Sequence, residues 1–124
     1  MGVRGKVVFY LNGERQEAGP EDASMMLADY LRLRRGLRGT KIVCAEGDCG
    51  ACTVLRLVPG PGAGRDEYLA VNSCILTVAQ MDGSSLVTVD ALASEGNQLT
   101  PVQQAMVECH GSQCGFCTPG FVMA

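Results

Sequence analysis

Residues 44–53 read Cys-Ala-Glu-Gly-Asp-Cys-Gly-Ala-Cys-Thr, a C-x4-C-x2-C run followed after twenty-one residues by Cys74. Three thiols this close can meet at one small centre only if the backbone between them curls tightly. Gly47 and Gly50 permit that curl, because glycine takes positive φ without a steric penalty, and the small Ala45 and Ala51 keep their own side chains out of the way. A curled segment also turns its N–H groups inward, where they can hydrogen-bond sulfur. A buried anionic centre requires such donors, since uncompensated charge in a low dielectric is costly. Three closely spaced cysteines and a distant fourth are the plant-type pattern for a 2Fe–2S cluster. A structural zinc site is the rival, but it usually comes as two short knuckles. A disulfide framework would need export.

Composition supports metal ligation over disulfides. Seven cysteines occur in 124 residues whose N-terminus, Met1-Gly-Val-Arg-Gly-Lys, shows no apolar signal segment and no twin-arginine pair. Lys6 stands where myristoylation wants Ser or Thr after Gly2. The expected compartment is the reducing cytoplasm. A net charge of −3 leaves no electrostatic footprint for nucleic acid, and no apolar run is long enough to span a membrane. The length fits one domain or two very small ones, and small units often lean on a metal.

Taken in order, Lys6–Leu11 is a β-branched and aromatic run that leads into Asn12-Gly13. Asn-Gly predicts a type I′ hairpin turn, with a strand from about Val7 and a return strand over Glu14–Ala18. Gly19-Pro20 breaks the pattern. Ser24 is the expected N-cap of a helix burying Met26, Leu27, Tyr30 and Leu31, with Met25 and Met26 as core filler. Arg32, Arg34, Arg35 and Arg38 close that helix, where cations suit the dipole; they read as a solvated face, with a docking edge as the sharper alternative. Strands are expected over 53–58, 67–71 and 86–89, with a loop at 59–64 and a turn at Asp82-Gly83. Non-adjacent strands around one helix predict an α+β unit over residues 1–89.

Residues 90–124 differ in kind. After a short connection over 90–96, Thr100-Pro101-Val102-Gln103 forms a capping box with Pro at the first helical position. The helix should run to about Cys109 and stop at Gly111. Thr118-Pro119 repeats the cap-and-proline device, and the chain reaches Ala124 barely one turn later, so the second unit is expected to be truncated. Between the helices, Cys114-Gly-Phe-Cys117 precedes a helix N-terminus, which favours thiolate. A lone C-x-x-C fits a redox dithiol, half a zinc site or half an iron–sulfur site. Without a βαβ context, half of a second cluster is the preferred reading. Cys109 is expected to be a buried small hydrophobe and His110 a structural hydrogen-bonding residue, because a Rieske-type centre would need two histidines.

Four segments together carry a family resemblance: Gly39-Thr40-Lys41, Cys44 through Val54, Val71-Asn72-Ser73-Cys74, and Cys109-His-Gly-Ser-Gln-Cys-Gly-Phe-Cys-Thr-Pro-Gly-Phe121. They resemble the iron–sulfur domain of the xanthine dehydrogenase/aldehyde oxidase family of molybdenum hydroxylases, most nearly the small subunit of bacterial xanthine dehydrogenase. The resemblance implies a β-grasp ferredoxin domain followed by a four-helix domain, each with a 2Fe–2S cluster. It implies Cys44, Cys49, Cys52 and Cys74 as ligands of the first cluster, facing a flavin. Cys114 and Cys117 would supply half of the second, nearer molybdenum, with Gln113 hydrogen-bonding the molybdopterin cofactor. The implied partners are a molybdopterin-binding catalytic subunit and an FAD domain or subunit. Two departures stand out. Val43 replaces the family's usual Gly before the first ligand, which would alter the start of the loop, and the later C-x-C that completes the second site has no counterpart here.

The expected role is electron transfer, with no substrate chemistry in this chain. The alternatives are a free-standing 2Fe–2S ferredoxin, which leaves Thr100–Phe121 unexplained, and a structural zinc module mediating protein contacts.

Overall fold

The computed structural model describes residues 4–62, 64, 66–93 and 96–124. Met1-Gly2-Val3, Ala63 in the 59–64 loop, Arg65, and Ser94-Glu95 in the 90–96 connection lie outside the described residues. Strands β1 (Val7–Leu11) and β2 (Glu14–Ala18) form the hairpin expected from Asn12-Gly13, pairing Leu11 with Glu14 and Val7 with Ala18. Both turn residues take positive φ, 52° and 83°, as a type I′ turn demands. β3 (Thr53–Pro59) and β4 (Asp66–Asn72) form a second antiparallel hairpin. β5 (Ser85–Val87) lies between the two hairpins, parallel to β1 and antiparallel to β3, giving the order β2-β1-β5-β3-β4. β5 ends two residues before the expected Val89, because Val89–Ala91 turns into a 3-10 helix.

One face of the sheet grips the helical segment. Phe9, Leu11, Ala18, Val54 and Leu86 meet Leu27, Tyr30, Leu31, Val78 and Met81 in the main core. Phe9 and Tyr30 pack edge to face at 5.9 Å between ring centroids. Each fully buried aliphatic side chain here contributes about 1.5–3 kcal/mol of transfer free energy. The helix itself departs from expectation. Pro20 starts a short helix, α1 (Pro20–Ala23), and Ser24 is its C-cap, not an N-cap. The next helix, α2 (Leu27–Asp29), begins at Met26 and widens into a π-helical turn over Tyr30–Arg34. Met26 has no capping side chain, since the first free N–H groups go elsewhere: Leu27 N–H to the Leu76 carbonyl (2.6 Å) and Ala28 N–H to the Ser73 carbonyl (2.9 Å). Met26 is consequently exposed and only Met25 packs against the core.

The arginines at the end of this helix are largely tied down. Arg34 pairs with Asp22, Arg35 lies over the Tyr30 ring and bonds its hydroxyl, and Arg32 donates to the Arg38 and Thr40 carbonyls.

The second part contains α3 (Pro101–Glu108) and α4 (Thr118–Met123). The Thr100–Gln103 capping box forms as the sequence predicts. The stop comes at His110, which takes the left-handed conformation (φ 51°) expected of Gly111. Cys109 sits at the C-cap of a helix with no buried residue and is exposed, contrary to expectation. Thr118 does not cap α4; its hydroxyl donates to Ser112 Oγ (2.7 Å), and Cys117 occupies the cap position. Among the described residues no helix is long and apolar enough to cross a membrane.

Candidate metal centre

Cys44, Cys49 and Cys52 lie on the 44–52 loop that delivers the chain into β3, and Cys74 follows the end of β4. Cys52 and Cys74 pack together with Ala28, with Ile42 against them, and are buried. Cys44 is half-buried and Cys49 exposed. The loop curls as its glycines allow: Gly47 and Gly50 take φ of 79° and 76°. Ala45 also adopts positive φ, 55°, a conformation that costs an L-residue about 1–2 kcal/mol. Val43 does not; the left-handed residue at the start of the loop is Ala45, so the glycine missing at 43 exacts no backbone strain.

The curl aims backbone donors at sulfur. Cys44 Sγ accepts N–H groups from Cys49 (3.3 Å), Asp48 (3.4 Å) and Glu46 (3.5 Å), and Cys49 Sγ accepts from Ala51 (3.5 Å). These donors, Cys49 N–H foremost, pull the Cys44 thiol down to about 6. Burial pushes the Cys74 thiol up to about 11, and the neighbouring Cys52 thiol adds to the shift. The loop thus prepares Cys44 as an anion, while the desolvated Cys74 keeps its proton at neutral pH until a metal cation takes its place on sulfur and the proton leaves to water.

The thiols stand in two pairs, Cys44 beside Cys49 and Cys52 beside Cys74. Among the described residues, no three His, Cys, Asp or Glu side chains converge to hold a single ion. Two thiol pairs, the Cys44–Cys49 pair under inward N–H donors, fit a two-iron sulfide-bridged core better than one tetrahedral zinc.

Neighbouring residues hold these thiols in place, and nothing in the spacing of the sequence marks them for that role. Asn72 Nδ2 donates to the Gly47 carbonyl (2.9 Å), fixing the loop apex to the end of β4. Ser73 Oγ donates to the Cys52 carbonyl (2.6 Å), linking Cys74's neighbour to Cys52. Arg32 anchors the segment that leads into the loop through the Arg38 and Thr40 carbonyls. Asn72 and Ser73 adjoin Cys74 in the quoted motif, so their position was visible, but the partner carbonyls lie more than twenty residues away. Arg32 carried no signal beyond its charge.

Cys114 and Cys117 are both exposed and separated by Gly115 at φ 91°. Gln113 is exposed on the same turn. Cys117 lines a cavity of about 130 Å³ together with Cys49, which brings that one thiol beside the first site.

Comparison with known proteins agrees with this geometry. The family described as "2Fe-2S iron-sulfur cluster binding domain" matches residues 9–79, more than half of the chain, and "[2Fe-2S] binding domain" matches 88–124. Xanthine dehydrogenase of Drosophila pseudoobscura pseudoobscura is 44% identical over 96% of this chain, and human aldehyde oxidase is 39% identical over 96%. The chain spans 9% of the length of each. Among solved structures, quinoline 2-oxidoreductase from Pseudomonas putida 86 superposes with a TM-score of 0.75 at 37% identity, covering 95% of this chain and 65% of that one. Aldehyde oxidoreductase from Desulfovibrio gigas gives 0.76 at 35% identity, covering 95% and 12%. The chain belongs to the 2Fe-2S iron-sulfur cluster binding domain family, and within it to the iron–sulfur domains of the molybdenum hydroxylases.

Proposed function

We propose that this chain is the electron-transfer component of a molybdenum hydroxylase resembling xanthine dehydrogenase, working between a molybdopterin-binding catalytic subunit and an FAD domain or subunit. The observation that carries the proposal is the arrangement of Cys44, Cys49, Cys52 and Cys74 as two thiol pairs, the first of them under inward N–H donors. When bound, the iron–sulfur group supplies one-electron chemistry, linking substrate oxidation at molybdenum to the flavin.

The chain's own residues bind, orient and screen. Cys44 and Cys49 would hold one metal and Cys52 and Cys74 the other. The Glu46, Asp48 and Cys49 N–H groups would offset the negative charge that gathers on sulfur when an electron arrives. Ala28 and Ile42 keep water from the buried pair, while Asn72 and Ser73 hold the two halves of the ligand set in register. No general base, nucleophile or substrate pocket is invoked. Cys114 and Cys117 would contribute two ligands to a second centre, and Gln113 would contact the molybdopterin cofactor of the partner. On this reading, residues 1–89 form the ferredoxin-like unit, residues 90–124 the start of the helical one, and the protein works in the reducing cytoplasm.

An anaerobic reductive titration tests the proposal. The purified chain should be red-brown, bleach on reduction and develop a rhombic EPR signal, all lost in Cys52→Ser. A colourless chain that binds zinc and takes up no electron would refute it.

A further inference from the structure

Helix α4 meets the loop of the first site at one residue. Gly120 is buried, and a Cβ there would overlap the Gly50 carbonyl oxygen and lie 2.9 Å from the Gly50 carbonyl carbon and 3.0 Å from Ala51 Cα. All three are backbone atoms, so no side chain can swing aside to make room. The carbonyl is itself held by two donors from Thr53, its N–H at 3.1 Å and its hydroxyl at 2.6 Å. A larger residue at 120 must therefore push α4 away. At the start of the same helix, Cys117 shares the cavity of about 130 Å³ with Cys49, and Gly120 and Gly50 also line it.

We infer that Gly120 is a positioning residue that sets the distance between the first cysteine site and the Cys114–Cys117 pair. It lets the backbone of α4 close on Gly50–Ala51, so that Cys117 and Cys49 line one small cavity. The inference rests on the electron-transfer reading for its purpose, because the rate of passage between two centres falls exponentially with their separation. The packing claim stands without that reading.

Two measurements test it. In the intact holoenzyme containing this chain, reduced until both iron–sulfur signals are present, Gly120→Ala should lose the magnetic splitting between them while each keeps its own g-values. Phe121→Ala, which lines the same cavity from an exposed position, should retain the splitting. An unchanged splitting in Gly120→Ala would overturn the inference. In this chain alone, which needs no second centre, hydrogen exchange over residues 121–124, whose amides bond back into the helix, should be protected in the wild type. It should quicken about tenfold in Gly120→Ala, the scale of an overpacking defect, with β3 unaffected. An unprotected α4 in the wild type, or unchanged exchange in the variant, would overturn it equally. Absence of any iron–sulfur signal in the wild-type holoenzyme would instead sink the functional reading and leave the exchange result to decide the packing claim.

Discussion

Titrating the iron-free chain with a disulfide reagent should separate its thiols by position, because the fold moves two of them in opposite directions. With Cys44 near 6 and Cys74 near 11, about nine-tenths of Cys44 and about one part in ten thousand of Cys74 are thiolate at pH 7. The more basic thiolate is the better nucleophile, with a Brønsted slope of about 0.45, which returns a factor of roughly 200 to Cys74 over five units. The net preference for Cys44 is then about 50-fold at pH 7, and the burial of Cys74 widens it. Against an ordinary thiol with a pKa of 9.0, the same arithmetic gives Cys44 an advantage of about fourfold at pH 7 and about 40-fold at pH 5. The assay is timed reaction with a pyridyl disulfide, then peptide mass analysis. Linkage fixes the companion effect on folding. Cys44, depressed in the folded chain, contributes stability that is present above about pH 9 and lost as pH falls through about 6. Cys74, raised, does the reverse: its protonated form suits the fold, and stability falls as pH rises from about 9 through 11. A Cys44 rate that follows ordinary thiol behaviour down to pH 5 would refute the claim that the loop's N–H groups prepare its thiolate.

Three further outcomes follow from the packing. Leu27→Ala, at a position fully enclosed between the sheet and Tyr30, should cost about 2–5 kcal/mol in urea unfolding; a loss under 1 kcal/mol would contradict the placement of the core. Gly47→Ala should cost about 1–2 kcal/mol from its positive φ and must also displace Ile75, whose Cδ1 would lie 2.7 Å from the new Cβ. It should lower retained iron, and unchanged retention would show that the apex of the loop tolerates distortion. Cys109→Ser should leave iron content unchanged, since that thiol is exposed at the end of α3; a loss would assign it as a ligand.

Local signals were legible where the chemistry is local. Asn12-Gly13 fixed its hairpin because two consecutive positive φ values leave few alternatives. Thr100-Pro101 fixed the start of α3 because cap, proline and Gln103 lie within one turn. Cys44, Cys49, Cys52 and Cys74 stand out by spacing, and the structure gathers them as two thiol pairs. What escaped the sequence depends on contacts between distant segments. Ser24 looked like a cap, yet the free N–H groups of α2 find the carbonyls of Ser73 and Leu76, so no capping side chain is needed and the helix starts later. Cys109 looked like core because free cysteine usually is, but α3 buries no residue among those described, so composition misled. Arg32 read as surface charge, although its guanidinium holds the segment leading into the cluster loop. The position of Gly120 against Gly50 could not be inferred at all, since seventy residues separate them and only the docking of α4 brings them together.

The most direct test of the central claim is iron and acid-labile sulfide per chain on anaerobically purified protein, compared with Cys44→Ser/Cys74→Ser and Cys114→Ser/Cys117→Ser variants. The four-thiol account predicts about two iron and two sulfide that survive loss of Cys114 and Cys117 and disappear with Cys44 and Cys74. Iron without sulfide, or a content that depends on Cys114 and Cys117 and not on Cys44 and Cys74, would contradict it.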